Sequence, residues 1–187
     1  FIDAHTGALR FDQPRSLQGF DLDIETGNHH SPTSNYCHMW WWTTDDDHWC
    51  DENGCNSSAD TEGWNAYKNA KKVYNYWKVY LGRDSYNNKG GKIQMYIHGG
   101  TNWANAHFVC NRLEFGDGYP VLDIMAHEFT HWVTDKTSNL IYKNESGALN
   151  ESFSDIFAAF TDWQDKNWLI GEDLPGGAIR SLADPTI

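Results

Sequence analysis

The stretch Val121-Leu122-Asp123-Ile124-Met125-Ala126-His127-Glu128-Phe129-Thr130-His131-Trp132-Val133-Thr134 follows Pro120 and carries apolar residues at 121, 122, 124, 125, 129, 132 and 133. That spacing predicts a largely buried helix opened by the proline. Side chains four apart on a helix share a face, so His127 and His131 can aim two imidazole nitrogens at one point. Glu128 follows the first histidine, where its carboxylate can reach a metal-bound water rather than the metal itself. This is the HExxH arrangement, and it predicts a zinc centre with its own general base.

A catalytic zinc needs a third protein ligand and an open position for water. Downstream, Leu149, Phe153, Ile156, Phe157 and Phe160 recur at helical spacing and predict a second helix over 147–163, with these residues as its apolar face. Glu151 on that helix is the candidate third ligand. Asp155 lies one turn further on, on the same face, and can accept the free N–H of a zinc-bound histidine. The connector 135–146 joins the two helices.

Upstream, Ala66, Tyr67, Ala70, Val73, Tyr74, Trp77 and Leu81 predict an amphipathic helix over 64–81 that stops at Gly82 and packs on the core. Residues 93–98 alternate as a strand before the turn Gly99-Gly100, and 112–115 read as another short strand closed by Gly116-Asp117-Gly118. Residues 1–60 read as short strands and loops with a break at Asn28-His29-His30-Ser31-Pro32, and 171–187 read as loop. The expected fold class is therefore α+β, a β-rich N-terminal half with helices that carry the zinc site.

The chain has 187 residues and 40% apolar content, enough to bury a core. Its formal charge of −12 disfavours nucleic acid or an anionic membrane as partner and suits calcium. No apolar run is long enough to span a bilayer, and the first residues do not form a signal peptide, so a secreted protein would have lost its signal upstream. Cys37, Cys50, Cys55 and Cys110 lie outside any metal spacing and predict two disulfides in an oxidising compartment. Three pairings are open; the short gap Asp51-Glu52-Asn53-Gly54 favours Cys50–Cys55, which leaves Cys37 with Cys110.

The run His127 to His131, with Thr134-Asp135, Leu140-Ile141-Tyr142, Asn144-Glu145-Ser146-Gly147-Ala148 and Asn150-Glu151, resembles the thermolysin-like zinc metallopeptidases. The likeness extends from about Ile93 to Pro185. It implies a secreted endopeptidase, with His127, His131 and Glu151 as zinc ligands, Glu128 as catalytic base and Asp155 as the carboxylate behind a ligand. It further implies that Asn105 and Ala106 hold an extended peptide at a sheet edge. Tyr142 would help stabilise the developing oxyanion, and Arg180 would bind the carbonyl just after the scissile bond. Ile124, Ile170 and Ile179 would wall an apolar pocket, so that cleavage falls on the N-terminal side of a bulky apolar residue.

The same resemblance implies calcium, one ion rather than two, held by Asp123, Asp162, Asn167 and the carbonyl of Leu169, with Asp165 and Glu172 read as surface charges. It divides the chain into a propeptide tail over 1–18, suggested by Phe1 to Gly7, a β-rich domain over 19–146, and the start of a helical domain over 147–187. On that reading the mainly helical C-terminal domain is largely absent, and the partners are peptide or protein substrates, the chain's own propeptide and a missing C-terminal half. None of His5, His29, His30, His38 and His48 sits in the motif of the family's transition-state histidine. His107 and Phe108 replace the usual aromatic pair after Asn105-Ala106. The competing reading is an inactive fragment or a non-catalytic zinc- and calcium-bearing binding module that recognises its target through Trp40-Trp41-Trp42. The intact Glu128 argues against it.

Overall fold

The computed structural model describes residues 19–26, 48–55, 60–163, 168–184 and 186. The propeptide tail, the break at 28–32, Trp40–Trp42, Cys37, Asp165 and Asn167 lie outside them, as do His5, His29, His30 and His38. The described residues form an α+β fold.

Strand β1 (Leu22–Thr26) alternates buried and half-buried side chains, with Leu22, Ile24 and Thr26 turned inward. This period of two is what a sheet with one covered face requires. β1 pairs antiparallel with β2 (His48–Asp51) and parallel with β4 (Ile93–Ile97). β2 turns back into β3 (Gly54–Cys55), and the Cys50–Cys55 disulfide joins residues that stand opposite each other across that hairpin. Cys110 is also disulfide-bonded. On the other side β4 pairs parallel with β6 (Arg112–Phe115), which pairs antiparallel with β5 (Ala106–Val109). The sheet order is β3-β2-β1-β4-β6-β5, so β5 is an edge strand.

Helix α1 (Thr61–Asn75) begins three residues before the periodicity suggests, because Asp60 caps it by accepting the amide of Glu62 at 2.9 Å. It continues into a π-helical turn, Tyr76–Tyr80, and the chain then reverses through Gly82 at φ 67°. The wider turn seats Trp77 against Phe129 and Phe157, with ring centroids 6.1 and 4.7 Å away.

Helix α2 (Leu122–Asp135) is buried on nearly every side, as its sequence predicts. Trp132, only 1% exposed, stacks between Tyr86 and Phe108. α3 (Asn144–Thr161) starts three residues earlier than its apolar pattern, and the expected boundary at 146/147 falls in its first turn. Its burial shows which way the apolar face turns. The side it turns inward is small and polar, with Gly147, Asn150, Ser154, Asp155 and Ala158 buried, while Leu149, Phe153, Ile156 and Phe160 are exposed. Within that apolar set Phe157 meets the core, at Trp77. Small and polar residues face α2 because α2 presents its histidines there.

The stretch read as loop, 171–187, holds a short strand, β8 (Arg180–Ser181), which pairs with β7 (Leu169–Ile170) just ahead of it. Two residues per strand are too few to leave a periodic signal.

Candidate metal centre

α2 and α3 face each other across the site. His127 and His131 bring their Nε2 atoms to 3.0 Å. Glu151 on α3 completes a triangle, one oxygen 3.3 Å from His127 Nε2 and the other 3.2 Å from His131 Nε2. Three donor atoms separated by about the edge of a zinc tetrahedron suit one small cation.

The far sides of the rings test that fit. His127 Nδ1 lies 2.8 Å from an Asp155 carboxylate oxygen, which can only accept, so the proton sits on Nδ1. His131 Nδ1 lies 2.8 Å from Asn150 Oδ1 and is fixed in the same tautomer. Both Nε2 lone pairs then point at one spot, beside a carboxylate. Lone pairs so close repel one another unless a proton or a cation lies between them, so the donor set fits zinc. Asn150 and Ser154, whose Oγ is 3.1 Å from His131 Nδ1, are the residues that sequence reasoning missed. Asn150 immediately precedes Glu151 and Ser154 precedes Asp155, but their types carry no metal signal.

Charge is balanced around this point. Arg180 grips Asp155 with two contacts, Nε at 2.7 Å and Nη2 at 2.6 Å. Hydrogen bonds from His127 and His131 hold the Glu151 carboxyl well below its usual range. Burial works against a charge on His127, but the carboxylates of Asp155 and Glu151 outweigh it and push its pKa up to about 9. The Tyr142 hydroxyl donates to Glu151, and burial and that bond push the phenol up to about 12.

A cleft of about 690 Å³ opens over the triad, lined among others by Asn105, Ala106, His107, Ile124, Glu128, Tyr142, Ile179 and Arg180. Glu128 accepts the amide of Phe108 at 2.8 Å, so edge strand β5 orients its carboxylate. Ile124 is buried and Ile179 exposed at the cleft, whereas Ile170 is fully buried and outside the lining. At the start of α2, Asp123 is 2% exposed and accepts the amides of Ile124 and Gly171. Burial first, then the nearby charges of Glu172 and Asp162, push its carboxyl up to about 6. Asp162 closes α3, and Leu169 opens β7.

The chain resembles known proteins in sequence and in fold. The family model described as thermolysin metallopeptidase, catalytic domain, matches residues 7–135, and that of the alpha-helical domain matches 138–187. The neutral protease NprE of Bacillus pumilus is 46% identical over 140 residues, 70% of this chain and 46% of that protein. Bacillolysin of Bacillus subtilis (strain 168) is 46% identical over 140 residues, 70% of this chain and 26% of that protein. Among solved structures, the precursor of protealysin, a metalloproteinase from Serratia proteamaculans, superposes with a TM-score of 0.76 at 26% identity, covering 90% of this chain and 55% of that one. The chain thus spans about half, or less, of the length of these relatives.

Proposed function

The chain belongs to the thermolysin metallopeptidase family, and on that premise we propose that it is the zinc-bearing part of a secreted endopeptidase. One observation carries the reading: two imidazole lone pairs and the Glu151 carboxylate converge in a cleft that also holds the carboxylate of Glu128. Zinc held by His127, His131 and Glu151 would polarise a carbonyl and lower the pKa of water there. Glu128 takes the proton of the attacking water and passes it to the leaving amine, with no covalent intermediate.

The remaining roles follow from placement. Among the described residues no strand pairs with the outer edge of β5, which supports a peptide lying along Asn105 and Ala106 as an added strand. Arg180, held rigid by Asp155, offers its guanidinium to the substrate carbonyl, and Tyr142 steadies the oxyanion. Ile124 and Ile179, with Ile170 behind them, favour a bulky apolar side chain just after the scissile bond. Asp123 and Asp162, with Asn167 and the Leu169 carbonyl, bind one calcium; the buried, charge-crowded carboxyl of Asp123 supports this. The disulfides support an oxidising, extracellular destination, and among the described residues no helix is long and apolar enough to cross a membrane. The partners are peptide and protein substrates and a propeptide of the chain's own.

The test is cleavage of a peptide with Leu or Phe after the scissile bond, with and without chelator, by the full-length protein and its Glu128→Ala variant. Glu128→Ala should keep its zinc and lose about 10²–10⁴-fold in turnover. Equal turnover by both proteins would remove Glu128 from the reaction.

A further inference from the structure

A second cluster of ligating side chains lies where the start of α1, the end of β4 and the Gly116–Gly118 turn meet. One ligand atom from each of Glu62, His98 and Asp117 lies within 4.8 Å of the others. His98 follows the last residue of β4 and is held at φ 56°, in the left-handed region that a histidine seldom occupies. Its Nδ1 is 2.7 Å from Asp117 Oδ1 and 3.9 Å from Glu62 Oε1. Its Nε2 faces Asp60 Oδ2 at 3.2 Å.

The distribution of donors is informative. Asp60 at Nε2 and Asp117 at Nδ1 can only accept, so the metal-free ring donates from both nitrogens and its two sides differ in what a cation would change: it would take the place of the Nδ1 proton, between Asp117 and Glu62, while Asp60 keeps the proton on Nε2. Glu62 is divided in the same sense. Its Oε2 accepts the amide of Gly118 at 2.9 Å, whereas its Oε1 is buried and has no hydrogen-bond partner. A buried carboxylate oxygen that faces the imidazole at 3.9 Å but has no hydrogen bond is costly, and it is a second sign, apart from the clustering, that a ligand belongs there.

We propose that Glu62, His98 and Asp117 form a second site for a zinc-class divalent cation, with Asp60 orienting the imidazole from behind. One nitrogen and two carboxylate oxygens are a borderline set that suits zinc and its first-row neighbours. The half-exposed side chain of Asp117 keeps one flank open to water. A cation here ties the turn that leads into α2 to the capped start of α1. It therefore steadies the approach to the first metal centre without touching it.

Zinc counted by mass spectrometry after dialysis of the full chain against micromolar zinc, with calcium in excess, tests this site apart from the first. Glu62→Gln and Asp117→Asn should each hold one equivalent fewer than the parent. His127→Ala/His131→Ala should also lose one equivalent yet keep a zinc-dependent rise in thermal midpoint, which adding Asp117→Asn abolishes. Asp60→Asn keeps a helix cap and should weaken binding about 10–100-fold. Asp117 lies on an exposed turn, so its variant decides the matter even where Glu62→Gln folds poorly. A zinc count unchanged by Asp117→Asn, or no zinc-dependent stabilisation in His127→Ala/His131→Ala, overturns the proposal and leaves the first centre unaffected.

Discussion

Burial disfavours a charge on His127, yet Asp155 and Glu151 raise its pKa to about 9, so the metal-free chain carries a proton there at neutral pH. Because the value is raised, the stability this proton confers is full below the ordinary 6.5 and disappears as pH rises through about 9. Zinc must expel that proton. Calorimetry in buffers of differing ionisation enthalpy should therefore register about one proton released at pH 7, and apparent affinity should rise about tenfold per pH unit until it levels near 9. Asn150→Ala leaves His131 Nδ1 with only the Ser154 hydroxyl at 3.1 Å and should weaken zinc by about tenfold, read by competition with a chromogenic chelator. At this scale the sequence is half legible. Histidine and glutamate reveal themselves through spacing, whereas Asn150 and Ser154 act only by where α3 turns them.

Among the elements, α3 shows what periodicity can and cannot say. Its spacing identifies a helix and an apolar face, but not which face meets the rest of the chain. The polar demand of the metal centre decides that, and it leaves Phe153, Ile156 and Phe160 outward. α2 was legible because it is apolar around most of its girth, while β7 and β8 were too short to read. The turn between β6 and α2 is equally constrained, but by space. A Cβ on Gly116 would lie 1.7 Å from the carbonyl oxygen of Trp103, a backbone atom that cannot yield locally. Gly116→Ala should cost about 1–3 kcal/mol or more in a urea melt and loosen β5 against β6. On α2, Trp132→Ala removes a ring stacked on Tyr86 and on Phe108 and should cost about 3–5 kcal/mol.

Across the whole molecule, Asp123 links the start of α2 to the turn after β7 through the amide of Gly171. Burial raises its carboxyl to about 6 from an ordinary 3.8, so the folded state prefers the protonated form. Without calcium, the stability from that preference is full below 3.8 and lost as pH rises through about 6, on the order of 3 kcal/mol. A bound cation reverses the penalty. Added calcium should therefore raise the thermal midpoint more at pH 7 than at pH 5, and Asp123→Asn should flatten the difference. The formal charge of −12 keeps copies apart at neutral pH, and that repulsion fades toward the sequence pI near 5.0. The two borders of the sheet are unlike. Among the described residues one ends in the two-residue strand β3, fastened by its disulfide, and the other in the longer β5. Strand addition needs a border of some length, so among the described residues β5, and not the two-residue β3, is the border suited to it. A peptide laid along β5, as proposed above, would occupy that same border and so compete with any second copy for it.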